Sequence, residues 1–234
     1  MKVVCLCPTF NRANILWILG EAVESFLRQD YENLELLICN DTPGQILKFD
    51  HPKVRVVNLP FRFPTLGEKL RYMIGDSQAD AFCRWDDDDI SFPWRISMSV
   101  EKMRDSYEWR AENHWYYPRT EFSETQYPGN THVFSIWRKE VLNFFRYPVV
   151  VSGAEDQAFN KELWKLGFPR RGELLPRDKI FYIYRWNTGS AHLSGHPDMN
   201  EHYRILGEAP IAKGEFEISP GWKENYLEIA KNAA

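Results

Sequence analysis

The chain has 234 residues, enough for one domain with a sizeable core. Its formal net charge of −4, with Lys and Arg dispersed along the sequence, argues against a surface built for nonspecific nucleic-acid binding, although Arg170 and Arg171 form a local basic pair. No apolar run approaches the length needed to cross a bilayer, and the short run before Pro8 cannot serve as a signal-peptide core, so the expected location is the cytoplasm.

Residues 2–7 read as a short apolar strand. An amphipathic helix follows, with its stripe at Ile15, Ile18, Leu19, Ala22, Val23, Phe26 and Leu27. Residues 34–39 and 54–59 are predicted strands, 67–75 a helix and 79–85 a further strand. Cys5, Cys7, Cys39 and Cys83 fall in or beside these strands without the paired spacing of a zinc site, and read as reduced core thiols. Alternating β and α predicts an α/β fold with a Rossmann-like, mostly parallel sheet flanked by helices. In such sheets ligands bind beyond the carboxyl ends of the strands, where residues 8–12, 40–43 and 86–89 all fall.

Beyond Pro93 a helix is predicted through Met103, and then a less regular stretch with the aromatic cluster Trp115, Tyr116 and Tyr117 and a strand-like segment at 131–137. Ser152-Gly153-Ala154-Glu155 fits a capping box opening a helix that runs to Leu166 and stops at Gly167. Residues 180–186 form a last predicted strand, 187–196 a polar loop and 222–234 a tail helix. With no repeat or linker, the expectation is a single domain. It is expected to divide into a ligand-binding half at residues 1–92, a second half at 93–221 and a tail at 222–234. The nine Trp are compatible with sugar-facing surfaces but do not require them.

The most informative segment is R-W-D-D-D-D-I at 84–90. If the strand continues through it, side chains alternate, with Asp86 and Asp88 on one face and Asp87 and Asp89 on the other. Hard cations such as Mg2+ or Mn2+ take one or two carboxylates and complete an octahedral shell with water and substrate phosphates, so this cluster suits a metal-bound diphosphate. A solvated acidic turn is the competing explanation.

Together with C-P-T-F-N-R at 7–12, S-F-L-R-Q-D-Y-E-N-L-E-L-L-I-C-N-D at 25–41, G-E-K-L-R at 67–71 and G-A-E-D-Q at 153–157, this run resembles the family 2 glycosyltransferases of the GT-A fold. The likeness covers roughly residues 1–167, with the motifs in order. It implies that Pro8, Thr9, Asn11 and Arg12 line the nucleotide pocket and that Asp41 contacts the base, with Asn40 standing where the family has a first aspartate. It assigns Lys69 or Arg71 to the nucleotide or its diphosphate, Asp86 and Asp87 to the nucleotide sugar, and Asp88 to the metal. Asp89 is left to cap the following helix. His192 is a candidate second metal ligand, ahead of His196. Glu155 is explained as the acceptor of the capping box, whereas Asp156 has no local task and resembles the general base of inverting members.

The implied reaction is a metal-dependent, inverting transfer of a sugar from a nucleotide diphosphate, first of all UDP, to a hydroxyl acceptor such as a glycan or glycoconjugate. A modified DNA base is a remoter acceptor. Two other readings compete with it. A sugar-nucleotide nucleotidyltransferase would normally carry a Gly-rich loop after the first strand, and residues 8–12 contain no glycine. A glycan-binding module with a decayed site would not be expected to keep both the acidic run and the Glu155-Asp156 pair.

Overall fold

The computed structural model describes residues 1–117, 123–126, 133–150, 155–167, 171–185 and 210–233. Its main sheet is built from β1 (Val3–Thr9), β2 (Leu34–Asn40), β4 (Val54–Asn58), β5 (Ala81–Arg84), β7 (Glu108–Ala111), β10 (Ser135–Arg138) and β11 (Gly172–Glu173), in the order β11-β7-β10-β5-β1-β2-β4. β1 is parallel to β2 and β5, β2 is parallel to β4, and β11 is parallel to β7. β10 is antiparallel to both of its neighbours and is the one reversed strand of this sheet. The mostly parallel α/β sheet expected from the sequence is present.

Helices cover both faces. A short 3-10 turn, Ala13–Ile15, leads into α1 (Leu16–Leu27), whose Leu19, Ala22, Val23 and Phe26 pack with Val3, Cys5, Leu36 and Ile38. On the other face Leu70, Met73 and Ile74 of α2 (Leu66–Gly75) meet Val4, Leu6, Leu37 and Cys39. Strands buried on both faces read as unbroken apolar runs, which is why β1, β2 and β5 were visible in the sequence. α3 (Arg95–Met103) and α4 (Glu155–Lys165) follow the predicted positions, and Gly167, at φ 70°, supports the left-handed stop after α4. The tail helix α5 is shorter than predicted, Tyr226–Ala233.

A second sheet has the order β6-β12-β8-β9, from β6 (Ile90–Ser91), β12 (Tyr182–Arg185), β8 (Asn113–Tyr117) and β9 (Ser123–Gln126). A third pairs β3 (Gln45–Lys48) in parallel with β13 (Gly214–Glu217), two strands the hydrophobic pattern did not reveal. Among the described residues no helix is long and apolar enough to cross a membrane. All four cysteines are buried free thiols, as expected.

Candidate active site at the carboxyl ends of β1, β2 and β5

Thr9 and Asn40, the last residues of β1 and β2, are register partners, and Arg84, in register with Leu6, ends β5 on the other side of β1. Past Thr9 the chain turns through Asn11, at φ 52° in the left-handed region that Asn tolerates better than most residues. The turn is pinned on three sides. Asn11 N donates to Thr42 Oγ1 at 2.7 Å, its Oδ1 accepts from Gln45 Nε2 at 3.1 Å, and its Nδ2 reaches the Pro210 carbonyl at 3.4 Å. Pro8 is half-buried at the strand end.

Asn40 faces inward. Its Nδ2 donates to the Gln45 carbonyl and to Asn58 Oδ1, and its Oδ1 accepts from Thr42 N, so it organises the loop after β2. Asp41 is buried just past β2, where Oδ2 accepts from Phe63 N at 3.0 Å and Oδ1 from Lys69 Nζ at 2.7 Å. The same ammonium donates to the Thr9 carbonyl at 2.6 Å. Lys69 is delivered by the first turn of α2, where Thr65 caps Glu68 N. A side chain at Gly67 would strike the Pro148 carbonyl, so the bare α-carbon lets this turn seat against the 148–149 backbone. The sequence left Lys69 and Arg71 as equals. The structure separates them: Lys69 is buried beside Asp41, and exposed Arg71 turns its Nε to the Tyr147 carbonyl.

The acidic run departs from expectation. β5 stops at Arg84 and β6 starts at Ile90, and residues 85–89 turn between them, so the strand-like alternation of faces does not hold. The physical reason is that the carboxylates are drawn to cations and donors on different surrounding elements, Arg12 serving two of them. Asp86 Oδ1 accepts from Arg84 Nη2 at 2.7 Å. Asp87 accepts from the Thr9 hydroxyl and from Arg12 Nε and Nη2, at 2.8 and 2.6 Å for the two guanidinium bonds. Asp88 Oδ2 lies 3.5 Å from Arg12 Nη2. Asp89 does not cap the next helix, because α3 begins only at Arg95 behind Trp94; its oxygens instead accept from Tyr182 Oη at 2.6 Å and Arg185 N at 2.7 Å.

These surroundings set the charges. Burial raises the Asp87 pKa, but the Arg12 charge, its hydrogen bonds, the Thr9 hydroxyl and Lys69 together outweigh burial and hold it below the usual carboxylate value. At Asp89 burial and the negative Asp88 and Asp86 prevail over the Tyr182 and Arg185 hydrogen bonds, and the pKa rises well above that value.

Next to the acidic turn α4 opens with Glu155 and Asp156. Glu155 Oε1 accepts from Arg84 Nη1 at 2.9 Å; the capping box the sequence suggested involves residues 152–154, which lie outside the described residues. Asp156, to which the sequence assigned no local bond, accepts from Gln157 N at 2.7 Å. Burial raises its pKa, the Gln157 N–H and the Arg84 charge oppose the rise, and the Asp86 charge adds to it.

Three residues went unnoticed in the sequence. Glu21, fully buried on α1, accepts from Arg185 Nη1 at 2.5 Å, Lys223 N at 2.8 Å and Tyr226 Oη at 2.9 Å. Arg185 in turn donates Nε to the Asp88 carbonyl, so it braces the acidic turn. Arg84 joins Asp86 to Glu155. One signal existed: an acid inside the apolar stripe of α1 requires a cationic or hydrogen-bonding partner.

His192, with the loop 187–196, lies outside the described residues. Among the described residues no group of three or more His, Cys, Asp or Glu side chains could hold a metal by itself. Asp88, buried with Oδ2 3.5 Å from Arg12 Nη2, and the half-buried Asp86 on Arg84 are hard carboxylate donors of the kind that share an Mg2+ or Mn2+ ion with a diphosphate, which contributes the other oxygens.

Residues 5–146 match the family model of glycosyl transferase family 2. The chain belongs to this family. The match takes in β1, the crevice loops and the acidic turn, and ends before the Glu155-Asp156 pair of α4. Among solved structures, Staphylococcus aureus TarS 1-349 in complex with UDP-GlcNAc superposes with a TM-score of 0.62 at 17% identity, over 88% of this chain and 65% of that one. The mannosyltransferase PcManGT from Pyrobaculum calidifontis, in complex with GDP-Man and Mn2+, gives 0.59 at 14% identity, over 88% of this chain and 60% of that one. This chain therefore spans less than two thirds of either neighbour, and the likeness establishes the GT-A fold. No curated protein sequence matches the chain.

Proposed function

We propose that the protein is a metal-dependent, inverting glycosyltransferase that moves a sugar from a nucleotide-diphosphate donor, UDP first of all, to a hydroxyl of a glycan or glycoconjugate. The observation that carries this reading is the convergence of Asp41, Lys69 and the 86–89 turn at the strand ends of a family 2 chain, opposite Asp156 at the start of α4. Residues 1–92 are taken as the donor half of one domain and 93–221 as the acceptor half. Buried free thiols suit a reducing compartment, the cytoplasm.

In this reading Pro8, Thr9, Asn11 and Arg12 shape the pocket floor, and Asp41, held by Lys69 and Phe63 N, meets the base. Lys69, already in the crevice, is preferred over Arg71 for neighbouring the nucleotide. Asp87 keeps the pocket floor joined to the acidic turn, and Asp86 faces the ribose or sugar. Asp88 is the protein ligand of Mn2+ or Mg2+, joined by His192 on the strength of its sequence position. The bound cation would act as a Lewis acid toward charge developing on the departing diphosphate. Asp156 takes the acceptor proton on the opposite face of the sugar, and burial, by raising its pKa, makes it a better base near neutral pH.

UDP-GlcNAc in TarS and GDP-Man with Mn2+ in PcManGT are the donors to compare first. The test is thermal shift and donor turnover with UDP- and GDP-sugars, in Mn2+ and in EDTA; saturation at a hundred times Kd adds about 2.7 kcal/mol to stability. Metal-dependent stabilisation with anomeric inversion in the product supports the proposal. Nucleoside diphosphates that fail to bind under any condition overturn it.

A further inference from the structure

We propose that Arg84 is a positioning residue that fixes the acceptor-side base relative to the donor-side acidic turn: its guanidinium holds Asp86 through Nη2 at 2.7 Å and Glu155 through Nη1 at 2.9 Å, and Glu155 immediately precedes Asp156. The inference rests on the reading of Asp156 as general base.

The strut is rigid at every joint. Arg84 is the last residue of β5, in register with Leu6 of β1, and its carbonyl accepts from Arg95 Nη2 at 2.7 Å, so its backbone is fixed in the sheet. Its side chain is buried, as is that of Glu155. A guanidinium is a planar fork, and two carboxylates bound to different nitrogens of one fork are spaced by covalent geometry rather than by rotamer choice. Glu155 opens α4, so the hold on its carboxylate also sets where the first turn of that helix, and therefore Asp156, stands over the crevice. The connection joins residues 71 positions apart and crosses from the donor loops to the acceptor helix.

Arg84 also carries the positive charge among the groups that bear on Asp156. Asp86 in the turn, Glu155 on α4 and the Tyr147 hydroxyl are the others; burial raises the Asp156 pKa and the Arg84 charge counters it. Geometry and charge can therefore be separated by substitution. Arg84→Lys keeps the charge but not the fork, and Arg84→Gln loses both.

The experiment is steady-state kinetics across pH, with calorimetric titration of UDP in Mn2+ on the same proteins. Arg84→Lys is expected to keep UDP affinity and the position of the acidic limb of kcat/KM while kcat falls roughly 10- to 100-fold, the scale of a small misplacement of a catalytic group. Arg84→Gln is expected to lose kcat as well and to move the acidic limb to higher pH. Glu155→Gln, which removes a negative neighbour of Asp156, is expected to lower kcat and move the limb the opposite way, and it serves if Arg84→Gln does not fold. Wild-type kcat in Arg84→Lys, or a limb that stays in place in both charge-changing variants, overturns the proposal. Full turnover in Asp156→Asn would instead remove the base assignment itself, which separates the two failures.

Discussion

Arg12 grips Asp87 through two nitrogens, Nε at 2.8 Å and Nη2 at 2.6 Å, with both side chains buried. This pair fastens the turn after β1 to the turn after β5. Breaking a buried pair by removing one partner leaves a buried charge uncompensated and costs about 3–5 kcal/mol. Arg12→Met should lower the urea midpoint accordingly. The sign of the pH dependence follows from the lowered Asp87 pKa: the pair's contribution is complete above the unfolded carboxylate value of about 3.9 and is lost as pH falls through the lower folded value. Equal acid sensitivity in wild type and Asp87→Asn would contradict this.

Asp88→Asn should weaken UDP binding in Mn2+ strongly while leaving the melting temperature of the free protein near wild type. An acidic turn by itself repels a diphosphate, so UDP affinity should also collapse in EDTA. Calorimetry showing the same affinity with and without the metal would remove the cation from donor binding.

Asp156→Asn should bind donor normally and lose turnover by about 100- to 10,000-fold, the usual range for a general base. In the wild type the base form is the ionised one, and burial raises its pKa. Activity should therefore fall as pH drops through a value above that of a free aspartate. A pH profile flat down to the free-aspartate value would show that another group accepts the proton.

Lys69 and Asp41, each 5% exposed in their side chains, predict a contrast within α2. Lys69→Met strands Asp41 in the crevice wall and should cost both stability and nucleotide affinity, by about 3–5 kcal/mol for the broken pair. Arg71→Met, on the exposed flank, should leave nucleotide affinity close to wild type. Comparable loss in the two variants would show that Arg71 also serves the nucleotide.

The parts of the fold that were legible in the sequence are those that local pattern dictates. β1 is apolar from Val3 to Cys7 and β2 from Leu34 to Cys39 except at Glu35, and the stripe of α1 has one period, so these elements follow from local pattern. β3 and β13 do not, because Gln45–Lys48 buries a glutamine and exposes an isoleucine and Gly214–Glu217 is mostly exposed; each is a strand only through the other. The acidic run misled for a different reason. Four like charges gave no hint that Arg84, Arg12 and Arg185 would each claim a different carboxylate or carbonyl and turn the chain between them. The Glu155 bond to Arg84 was not legible because its partner lies on a strand 71 residues away, whereas a capping box is a local pattern.

The bonds around Glu21 have a consequence for how the protein is made. α1 leaves the ribosome well before its partners, and the acid at its centre waits for Arg185, 164 residues later, and for Lys223 and Tyr226 beyond. At ordinary translation speed that interval is roughly 8 to 33 seconds. Until then a carboxylate destined for the interior has only water, and the Asp88 carbonyl lacks its brace. The nascent residues 1–92 can form their parallel strands early, but their surroundings settle only when residues 214–226 return to them, β13 alongside β3 and the Ser219 carbonyl against Gly20. Ribosome-bound chains halted before residue 210 should therefore expose a protease-sensitive α1, and chains extended well beyond Tyr226 should protect it.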